Sequence, residues 1–393
     1  MEQRKLSVKN KITIESMTTT KTADIAATTV QINDLAKIGC DVIRVAVPDA
    51  ASADAIGKIR ENITIPLIAD IHFDHKLALR AIAAGADKIR INPGNIGSAA
   101  GGSRAGNHEH INAIADACNR KNIPIRIGVN SGSLEKKILE KYGGVTPEAM
   151  VESTLNHIKL LNKYDFDNIW LSAKSSSVPL TVKTYRLLQK QTDYPLHVGV
   201  TEAGTEYNGI IKSSIGIGAL LLDGIGDSIR VSLTAPPEKE IEAAKALLKA
   251  LGLRPGVDII SCPTCGRCNI DVIGMANEVE KRLGKDNENN LTIAVMGCAV
   301  NGPGEAKQAD FGIAGVGVGK TGAGEVGAGE VGAGETGAGE VGTGEGGEGK
   351  TGACEVGAGK TGAGEGVIFA KGKIIKKVPM DKLVDELFIA MDN

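Results

Sequence analysis

Eight short apolar segments, each followed by a stretch with helical periodicity, fill the first 252 residues of this chain. The segments are rich in Val and Ile, as in DVIRVAV (41–47), and the stretches 23–39 and 74–85 repeat apolar residues along one helix face. Eight such strand–helix units predict a (β/α)8 TIM barrel. An open doubly wound sheet is the alternative, but no GxGxxG follows the first strand. The predicted strands are 12–17, 41–47, 66–72, 88–93, 124–130, 168–174, 196–202 and 228–233.

The chain is predicted to have two domains, because its 393 residues exceed one average domain. The helix at 238–252 would complete the barrel, and we interpret Leu253–Gly256 as a linker. The predicted domains are therefore a barrel over 1–252, which would bind a substrate, and a smaller α/β domain over 253–393 that holds five of the seven cysteines.

A low-complexity segment interrupts the second domain. Residues 316–366 repeat a G-A-G-E-V/T pentapeptide with no apolar face, so the segment cannot offset the entropy lost on ordering. We interpret it as a disordered insertion in a surface loop, with Cys354 as a bystander. Because loop-closure entropy grows slowly with length, the insertion is expected to cost little stability.

Composition excludes several classes of protein. With 42% hydrophobic residues, 23% charged residues and a net charge of −2, the chain has no basic patch of the kind that nucleic-acid binding requires. The most apolar window, 215–226, contains Asp223 and is too short to span a membrane, and residues 1–10 lack the apolar core of a signal peptide. We therefore expect a cytoplasmic protein with reduced thiols, in which clustered cysteines indicate a metal site.

Four predicted strands carry an arginine in the same apolar setting, as VIRV, KIRI, PIRI and SIRV. These residues are Arg44, Arg90, Arg126 and Arg230. A buried arginine is unfavourable unless its charge is met, and a carboxylate partner inside the barrel would explain any one of them. Because four arginines occupy equivalent positions on four strands of one barrel, we instead predict that their guanidinium groups converge on a ligand with several phosphate oxygens.

The segments that follow the strands are rich in Gly, Ser, Thr and Asn. They lie at the C-terminal face of a barrel, where active sites of this fold occur. Lys174 and Glu202 end their strands at this face and are candidates for an acid–base or phosphate-anchoring pair. Among the histidines, His72 is the better candidate, since it follows Asp70 at the end of the third strand. Loop or structural roles are expected for His75, His108 and His110.

The stretch SCPTCGRC (261–268) contains three cysteines, and the next cysteine is Cys298. Four sulfur ligands from these residues would suit structural zinc or an electron-transfer iron–sulfur cluster. A third alternative is a cluster held by Cys262, Cys265 and Cys298, with an exchangeable oxygen ligand on the fourth iron. Zinc is disfavoured because Cys298 lacks a second cysteine two residues away, and spacing does not decide between the two clusters.

Motifs along both domains resemble one known family. They are CPTCGR and GCAVNGPGEA in the second domain, and SMTTTKTAD, PLIADIHFD, KIRINPGNIG, IRIGVNSGSL and GIGDSIRVSL in the first. Together they are similar to the 4-hydroxy-3-methylbut-2-enyl diphosphate synthases of the methylerythritol phosphate isoprenoid pathway. The resemblance runs from about Met1 to Ile313 and resumes at Gly366, so that only the insertion falls outside it. It implies a TIM barrel followed by a smaller α/β iron–sulfur domain.

The resemblance also implies a reaction and a cofactor. The family reductively opens 2-C-methyl-D-erythritol 2,4-cyclodiphosphate and removes a hydroxyl with two electrons, using a [4Fe–4S] cluster. Its ligands here would be Cys262, Cys265 and Cys298, with Glu305 on the fourth iron. A carboxylate on iron exchanges more readily than a thiolate, so Glu305 can give way to a substrate oxygen. Cys268 would not be a ligand.

Substrate residues and partners are implied in the same way. The residues that match the family's cyclodiphosphate site are Asp70, His72, Arg90, Arg126, Asn130, Lys174, Glu202, Arg230 and Ser232, with Arg44 as a weaker inclusion. Glu202 and Glu305 would be catalytic. Reduced flavodoxin or ferredoxin would supply the electrons, and a homodimer is implied because the cluster of one subunit caps the barrel of the other in two-domain members. The competing hypotheses are a non-catalytic metal-binding protein whose barrel holds a phosphate ligand and, less favoured, a pterin-type transferase.

Overall fold

A computed structural model of the chain describes residues 11–97, 104–284, 287, 289–298, 306–316 and 364–392, with the backbone alone over 104–107. The chain divides into two compact units, Met1–Arg254 and Pro255–Asn393. The first unit contains a sheet of eight strands and the second a sheet of five.

The first unit is a closed parallel barrel. Its strands are β1 (Thr13–Met17), β2 (Val42–Ala46), β3 (Leu67–Asp70), β4 (Lys88–Ile91), β5 (Ile125–Asn130), β6 (Ile169–Lys174), β7 (His197–Val198) and β8 (Ser228–Ile229). They hydrogen-bond in the order β6-β5-β4-β3-β2-β1-β8-β7. The ring closes between β6 and β7, where the N–H of Leu171 donates to the carbonyl of Pro195 at 2.9 Å. The predicted TIM barrel is confirmed, and the open doubly wound alternative is wrong.

Helices connect the strands around the outside of the barrel. They are α1 (Ile25–Lys37), α2 (Ala50–Glu61), α3 (His75–Ala84), α4 (Arg104–Lys121), α5 (Lys136–Tyr142), α6 (Pro147–Asn162), α7 (Val178–Gln189), α8 (Glu206–Leu222) and α9 (Pro237–Ala250). The first three begin after Asp24, Asp49 and Asp74, whose carboxylates accept hydrogen bonds from backbone N–H groups of the first turn. Among the helices that the structure describes, none is long and apolar enough to cross a membrane.

Aspartates at the strand starts hold neighbouring strands in register. Asp41, Asp87 and Asp227 each precede a strand arginine by three residues. Their carboxylates do not meet those arginines; each accepts a hydrogen bond, 2.7–2.9 Å long, from a backbone N–H at the start of the neighbouring strand. The aspartate and the arginine of the repeated D-x-x-R pattern therefore have separate roles. The aspartate accepts a hydrogen bond from a backbone N–H group of the barrel that would otherwise lack a partner.

The hydrophobic core of the first unit lies between the barrel and its helices. Outward-facing strand residues such as Ile43, Val45, Ile89 and Ile127 are completely buried there. The alternate residues face the interior of the barrel, because successive side chains of a strand point to opposite sides. Valine, isoleucine and leucine usually dominate the interior of such a barrel, whereas this one contains arginine, lysine, carboxylates and glycine.

The second unit is a five-stranded mixed sheet. Its strands are β9 (Asp258–Ser261), β10 (Thr292–Met296), β11 (Phe311–Gly315), β12 (Glu365–Ala370) and β13 (Lys373–Pro379), and its helices are α10 (Val272–Leu283) and α11 (Leu383–Asp392). The order is β13-β12-β11-β10-β9. The first three strands in sequence are parallel, and the last two form an antiparallel hairpin. Apolar residues of both helices, including Val279 and Leu387, pack against the sheet.

The predicted insertion joins two neighbouring strands of this sheet. Gly315 on β11 pairs with Gly366 on β12 in antiparallel register, and the N–H of Val316 donates to the carbonyl of Glu365 at 3.0 Å. The prediction of disorder over 316–366 is wrong at Glu365 and Gly366, which begin β12. Residues 317–363, including Cys354, lie outside the described residues, so for them the disorder stays a prediction. The two flanks are as close as the arms of a hairpin, which is a position where chains tolerate insertion.

Candidate active site

A connected group of charged side chains fills the interior of the barrel. Its basic members are Arg44, Lys88, Arg90, Arg126, Lys174 and Arg230, and its carboxylates are Glu15, Asp70 and Glu240. Basic groups thus outnumber acidic groups two to one, and most of these side chains are buried. Such an excess of positive charge attracts anions strongly.

Arg126 on β5 is held by Glu15 on β1. The carboxylate accepts hydrogen bonds from Nη1 and, at 2.9 Å, from Nη2 of the guanidinium, and the side chains are only 1% and 2% exposed. Burial alone would raise the pKa of Glu15, but the charges of Arg126, His197 and Arg44 hold it well below its usual range. For Arg126 the structure therefore provides the carboxylate partner that a single buried arginine requires.

Arg90 and Arg44 share the carboxylate of Asp70. Nη1 of Arg90 donates to Asp70 at 3.0 Å, and Nε of Arg44 lies 3.6 Å from the other carboxylate oxygen. Burial raises the pKa of Asp70, but the positive charges of Arg44 and Arg90 outweigh burial, so the pKa lies below its usual value. Within the described part of the chain, the buried Nε of Arg90 has no hydrogen-bond partner. An unpaired buried N–H is unfavourable, so this group is suited to bond an oxygen of a ligand.

Two glycines make room for the basic side chains. A Cβ on Gly128 would lie 2.7 Å from Nη2 and 2.8 Å from Cζ of Arg90. A Cβ on Gly199 would lie 2.9 Å from Nζ of Lys174 and 2.5 Å from the carbonyl oxygen of Arg230. The glycines of IRIGVN and HVGV are thus required by the close approach of charged side chains.

Arg230 is oriented by Glu240, which the sequence patterns did not reveal. Glu240, in the first turn of α9, accepts hydrogen bonds from Nε and Nη2 of Arg230 at 3.1 and 3.2 Å. It also accepts from the hydroxyl of Ser16 and from the backbone N–H of Leu233, both at 3.1 Å. One buried carboxylate therefore joins β1, the end of β8 and the loop that follows it.

Lys174, at the end of β6, contacts a histidine instead of a carboxylate. Its Nζ lies 2.9 Å from Nε2 of His197, whose Nδ1 lies 2.8 Å from the hydroxyl of Ser228. Burial, helped by the charge of Arg126, lowers the pKa of Lys174 well below its usual range. Burial also lowers the pKa of His197.

The other predicted barrel residues lie around its mouth. Asn130 ends β5 and precedes a 3-10 turn, His72 is exposed beyond β3, and Ser232 is partly buried beyond β8. The seventh strand ends at Val198, so the prediction that Glu202 ends this strand is wrong. Glu202 is exposed and has a φ of +51°, a left-handed conformation that is unfavourable for most residues and concentrates at functional sites. No hydrogen bond or ion pair joins Glu202 to Lys174 among the described residues.

A partly buried contact between a histidine and a carboxylate anchors the loop after β5. Nε2 of His157 on α6 lies 3.2 Å from one oxygen of Glu135, and the hydroxyl of Ser153 donates to the other at 2.8 Å. Burial raises the pKa of Glu135, but the hydrogen bond and charge of His157 outweigh it and bring the pKa to about 2. The loop that carries Asn130 is thereby fixed to α6.

The cysteines that the structure describes in the second unit lie at one edge of its sheet. Cys262 follows β9 and Cys298 follows β10, and these neighbouring strands are parallel, so their ends meet at the same edge. The N–H of Gly297 donates to Sγ of Cys262 at 3.1 Å. A Cβ on Gly297 would collide with Sγ of Cys268, so this thiol also packs against the same turn.

The donor chemistry at this edge fits an iron–sulfur cluster. Cys265 is exposed, and hydrogen bonds from Arg267 lower its pKa, whereas burial raises the pKa of Cys40 and Cys118 to about 12. Accessible thiolates and an N–H···S bond are features of cluster ligands. Within the described ranges, no three Cys, His, Asp or Glu side chains are gathered as a metal site. The predicted fourth ligand, Glu305, lies outside the described residues.

Fold and site together define a protein of two units, with a cationic (β/α)8 barrel followed by a smaller sheet that has a cysteine-rich edge. A family model described as the GcpE TIM-barrel domain matches residues 1–245, and one described as the GcpE protein C-terminal domain matches 258–327. The chain belongs to the GcpE family.

Curated relatives match nearly the whole chain. A protein of Caldicellulosiruptor saccharolyticus named 4-hydroxy-3-methylbut-2-en-1-yl diphosphate synthase (flavodoxin) is 53% identical over 96% of this chain and 92% of its own length. A protein of the same name from Clostridium acetobutylicum is 48% identical over 98% of this chain and 94% of its own length. Among solved structures, a dihydropteroate synthase from Stenotrophomonas maltophilia covers 63% of this chain and 95% of its own at 13% identity. Its TM-score of 0.44 supports no argument about function.

The structure brings together most of the barrel residues that the sequence predicted, and it adds three. Glu15 and His197 stand within strands and face inward with the arginines, and Glu240 starts a helix. For the first two, the available signal was a polar residue at alternate strand positions in ITIESM and LHVGV. Nothing in PPEKEIE distinguishes Glu240 from an ordinary surface residue at a helix start.

Proposed function

We propose that this protein converts 2-C-methyl-D-erythritol 2,4-cyclodiphosphate to 4-hydroxy-3-methylbut-2-enyl diphosphate. Two electrons and two protons enter the reaction, the cyclic diphosphate is opened, and one water leaves. The observation that carries the proposal is the match to synthases of that product at 53% identity, because it spans the barrel and the cysteine-bearing unit alike. The non-catalytic alternative would leave a strained, exposed Glu202 at the barrel mouth without a role.

The barrel is proposed to bind the diphosphate. Guanidinium groups bond phosphate oxygens in pairs, and the unpartnered Nε of Arg90 offers one such donor. The proposed substrate residues are Asp70, His72, Arg90, Arg126, Asn130, Lys174, Arg230 and Ser232, with Arg44 beside them. Since Asp70 and Glu240 already orient three of these arginines, little reorganisation is needed when the substrate enters.

Glu202 is proposed as a proton donor to the departing hydroxyl. A carboxyl that is exposed can exchange protons with water between turnovers. Glu202 lies four residues beyond β7, in a left-handed conformation within a turn in which the N–H of Thr201 donates to the carbonyl of Ser175 at 3.2 Å.

A [4Fe–4S] cluster is proposed to bind Cys262, Cys265 and Cys298, with Glu305 as the exchangeable fourth ligand. When bound, such a cluster supplies single electrons and a Lewis-acidic iron. The N–H of Gly297 would stabilise the thiolate charge of Cys262 through its 3.1 Å hydrogen bond.

Reduced flavodoxin is proposed as the electron donor, since the names of the relatives include it; reduced ferredoxin is the alternative. A cytoplasmic homodimer is part of the same proposal. Light scattering should give twice the chain mass, and a monomer with full activity would contradict the dimer.

Anaerobic purification tests the cofactor. A brown protein with about four irons per chain is expected, and a colourless zinc protein would refute the proposal. Cys298→Ser should lose most of the iron and Cys268→Ser should keep it. Glu305→Ala should abolish cyclodiphosphate consumption with a chemical reductant, and undiminished turnover would remove Glu305 from the mechanism.

A further inference from the structure

Lys174 lacks the carboxylate partner that the arginines beside it have. Glu15, Asp70 and Glu240 are each committed to an arginine, and within the described residues none of them forms an ion pair with Lys174. The lysine is only 8% exposed. A buried ammonium without a counter-ion is costly, because it loses hydration and gains nothing in exchange.

The groups that face Lys174 increase this cost. They come from four other strands and from the residue after a fifth: Glu15 on β1, Arg44 on β2, Arg126 on β5, His197 on β7, and Arg230 directly after β8. The three arginines disfavour a further positive charge, and the single carboxylate is already bonded by both terminal nitrogens of Arg126. The free barrel therefore favours a neutral amine at this position, in agreement with the lowered pKa of Lys174.

His197 can satisfy Lys174 in either protonation state without moving. An ammonium can donate to Nε2 while Nδ1–H donates to the hydroxyl of Ser228; a neutral amine can accept from Nε2–H while that hydroxyl donates to Nδ1. Both arrangements use the same contacts of 2.9 and 2.8 Å. A serine hydroxyl is both donor and acceptor, so the exchange requires only a change of tautomer.

We propose that Lys174 is a neutral amine in the free barrel and takes up one proton from solvent when the cyclodiphosphate binds, with His197 as the positioning residue that changes tautomer. This inference rests on the proposed function for the identity of the ligand. The bound anion supplies the negative charge that the lysine lacks, so binding and protonation favour each other. No bond other than N–H is made or broken.

The cyclodiphosphate does not itself take up or release protons near neutral pH, so any proton uptake on binding belongs to the protein. Each phosphorus of a cyclic diphosphate diester carries one acidic oxygen, which is ionised throughout the neutral range, so the ligand enters as a dianion. Because protonation of Lys174 accompanies binding, affinity should fall by about tenfold per pH unit as the pH rises above the pKa of the free protein. The decrease ends at the higher pKa of the bound state.

Isothermal titration calorimetry tests the proposal. The oxidised holoprotein, kept anaerobic and without reductant so that no turnover occurs, is titrated with 2-C-methyl-D-erythritol 2,4-cyclodiphosphate in HEPES and in Tris at the same pH. The difference in binding enthalpy between the buffers gives the protons taken up, and we expect about one per site near pH 7.5. The pH dependence of Kd should give the same number independently.

Three variants locate the proton. Lys174→Met and Lys174→Arg should both reduce the uptake to about zero, the second with a permanently charged side chain that can still bind the anion. Lys88→Met is the matched control, since Lys88 is the other lysine of the interior, lies 3.6 Å above the ring of Trp170 and has a pKa lowered to about 8 by burial. It should retain the uptake of the wild type.

Two results would overturn the proposal while leaving the proposed function intact: binding of the cyclodiphosphate by the wild type without proton uptake, or uptake that survives in Lys174→Met. If proton uptake were lost in Lys88→Met but not in the Lys174 variants, the proton would belong to Lys88, and the proposal would also be overturned. Failure of the holoprotein to bind the cyclodiphosphate at all would refute the proposed function, and this inference with it.

Discussion

Gly128→Ala adds one methyl group to β5 where the side chain of Arg90 crosses it. The new Cβ would lie 2.7 Å from Nη2 and 2.8 Å from Cζ of Arg90, whereas comfortable contacts between such atoms are roughly 3.5–4.0 Å. The guanidinium must therefore retreat by roughly 1 Å and lose its 3.0 Å hydrogen bond to Asp70. Misplacement of that size costs on the order of 100-fold in rate, and the overpacking costs about 1–3 kcal/mol of stability.

The assay is cyclodiphosphate consumption with a chemical reductant, together with thermal unfolding of the same preparation. We expect kcat/KM to fall about 100-fold in a protein that is folded and retains its iron. Gly218→Ala is the matched control, because nothing lies within 4 Å of a Cβ at that helical position, and it should leave kcat/KM unchanged. Wild-type kcat/KM in Gly128→Ala would show that the position of Arg90 does not matter for the substrate, and the argument from the cationic interior would fail.

Three further changes have defined outcomes. Glu240→Ala releases Arg230 from its two hydrogen bonds and should lower kcat/KM about tenfold to 100-fold, while Glu238→Ala in the same helix turn should not; equal losses would refute the positioning role. Glu135→Gln should lower the free energy of unfolding by about 1–3 kcal/mol at neutral pH. Because the hydrogen bond and charge of His157 outweigh burial and leave the folded pKa of Glu135 at about 2, this stabilisation is present above the unfolded pKa, and the wild-type advantage in denaturant titrations should vanish as pH falls from about 4.5 to about 2. Replacing 317–363 by a turn roughly tenfold shorter should raise that free energy by up to about 2 kcal/mol and preserve activity; loss of activity with the fold intact would mean that the segment has a function.

The sequence alone determined the barrel, and it predicted a second domain after residue 252. Strand and helix periods are local properties, and eight repetitions leave few architectures that bury every apolar face. The four strand arginines could also be placed in the interior, because alternation along a strand decides which side chains share a face. Similarly, the spacing around Cys262 and Cys298 by itself indicates thiolate ligands.

Only the tertiary structure decided which charges meet. Glu15 pairs with Arg126, 111 residues away, because barrel closure places β1 opposite β5. Glu240 bonds Arg230 although one belongs to a helix and the other to a strand end. Lys174 is left with a histidine because, within the described part of the chain, Glu15, Asp70 and Glu240 each pair with an arginine. Such pairings depend on distances across a closed ring, and a local pattern contains no information about which residues lie on its opposite side.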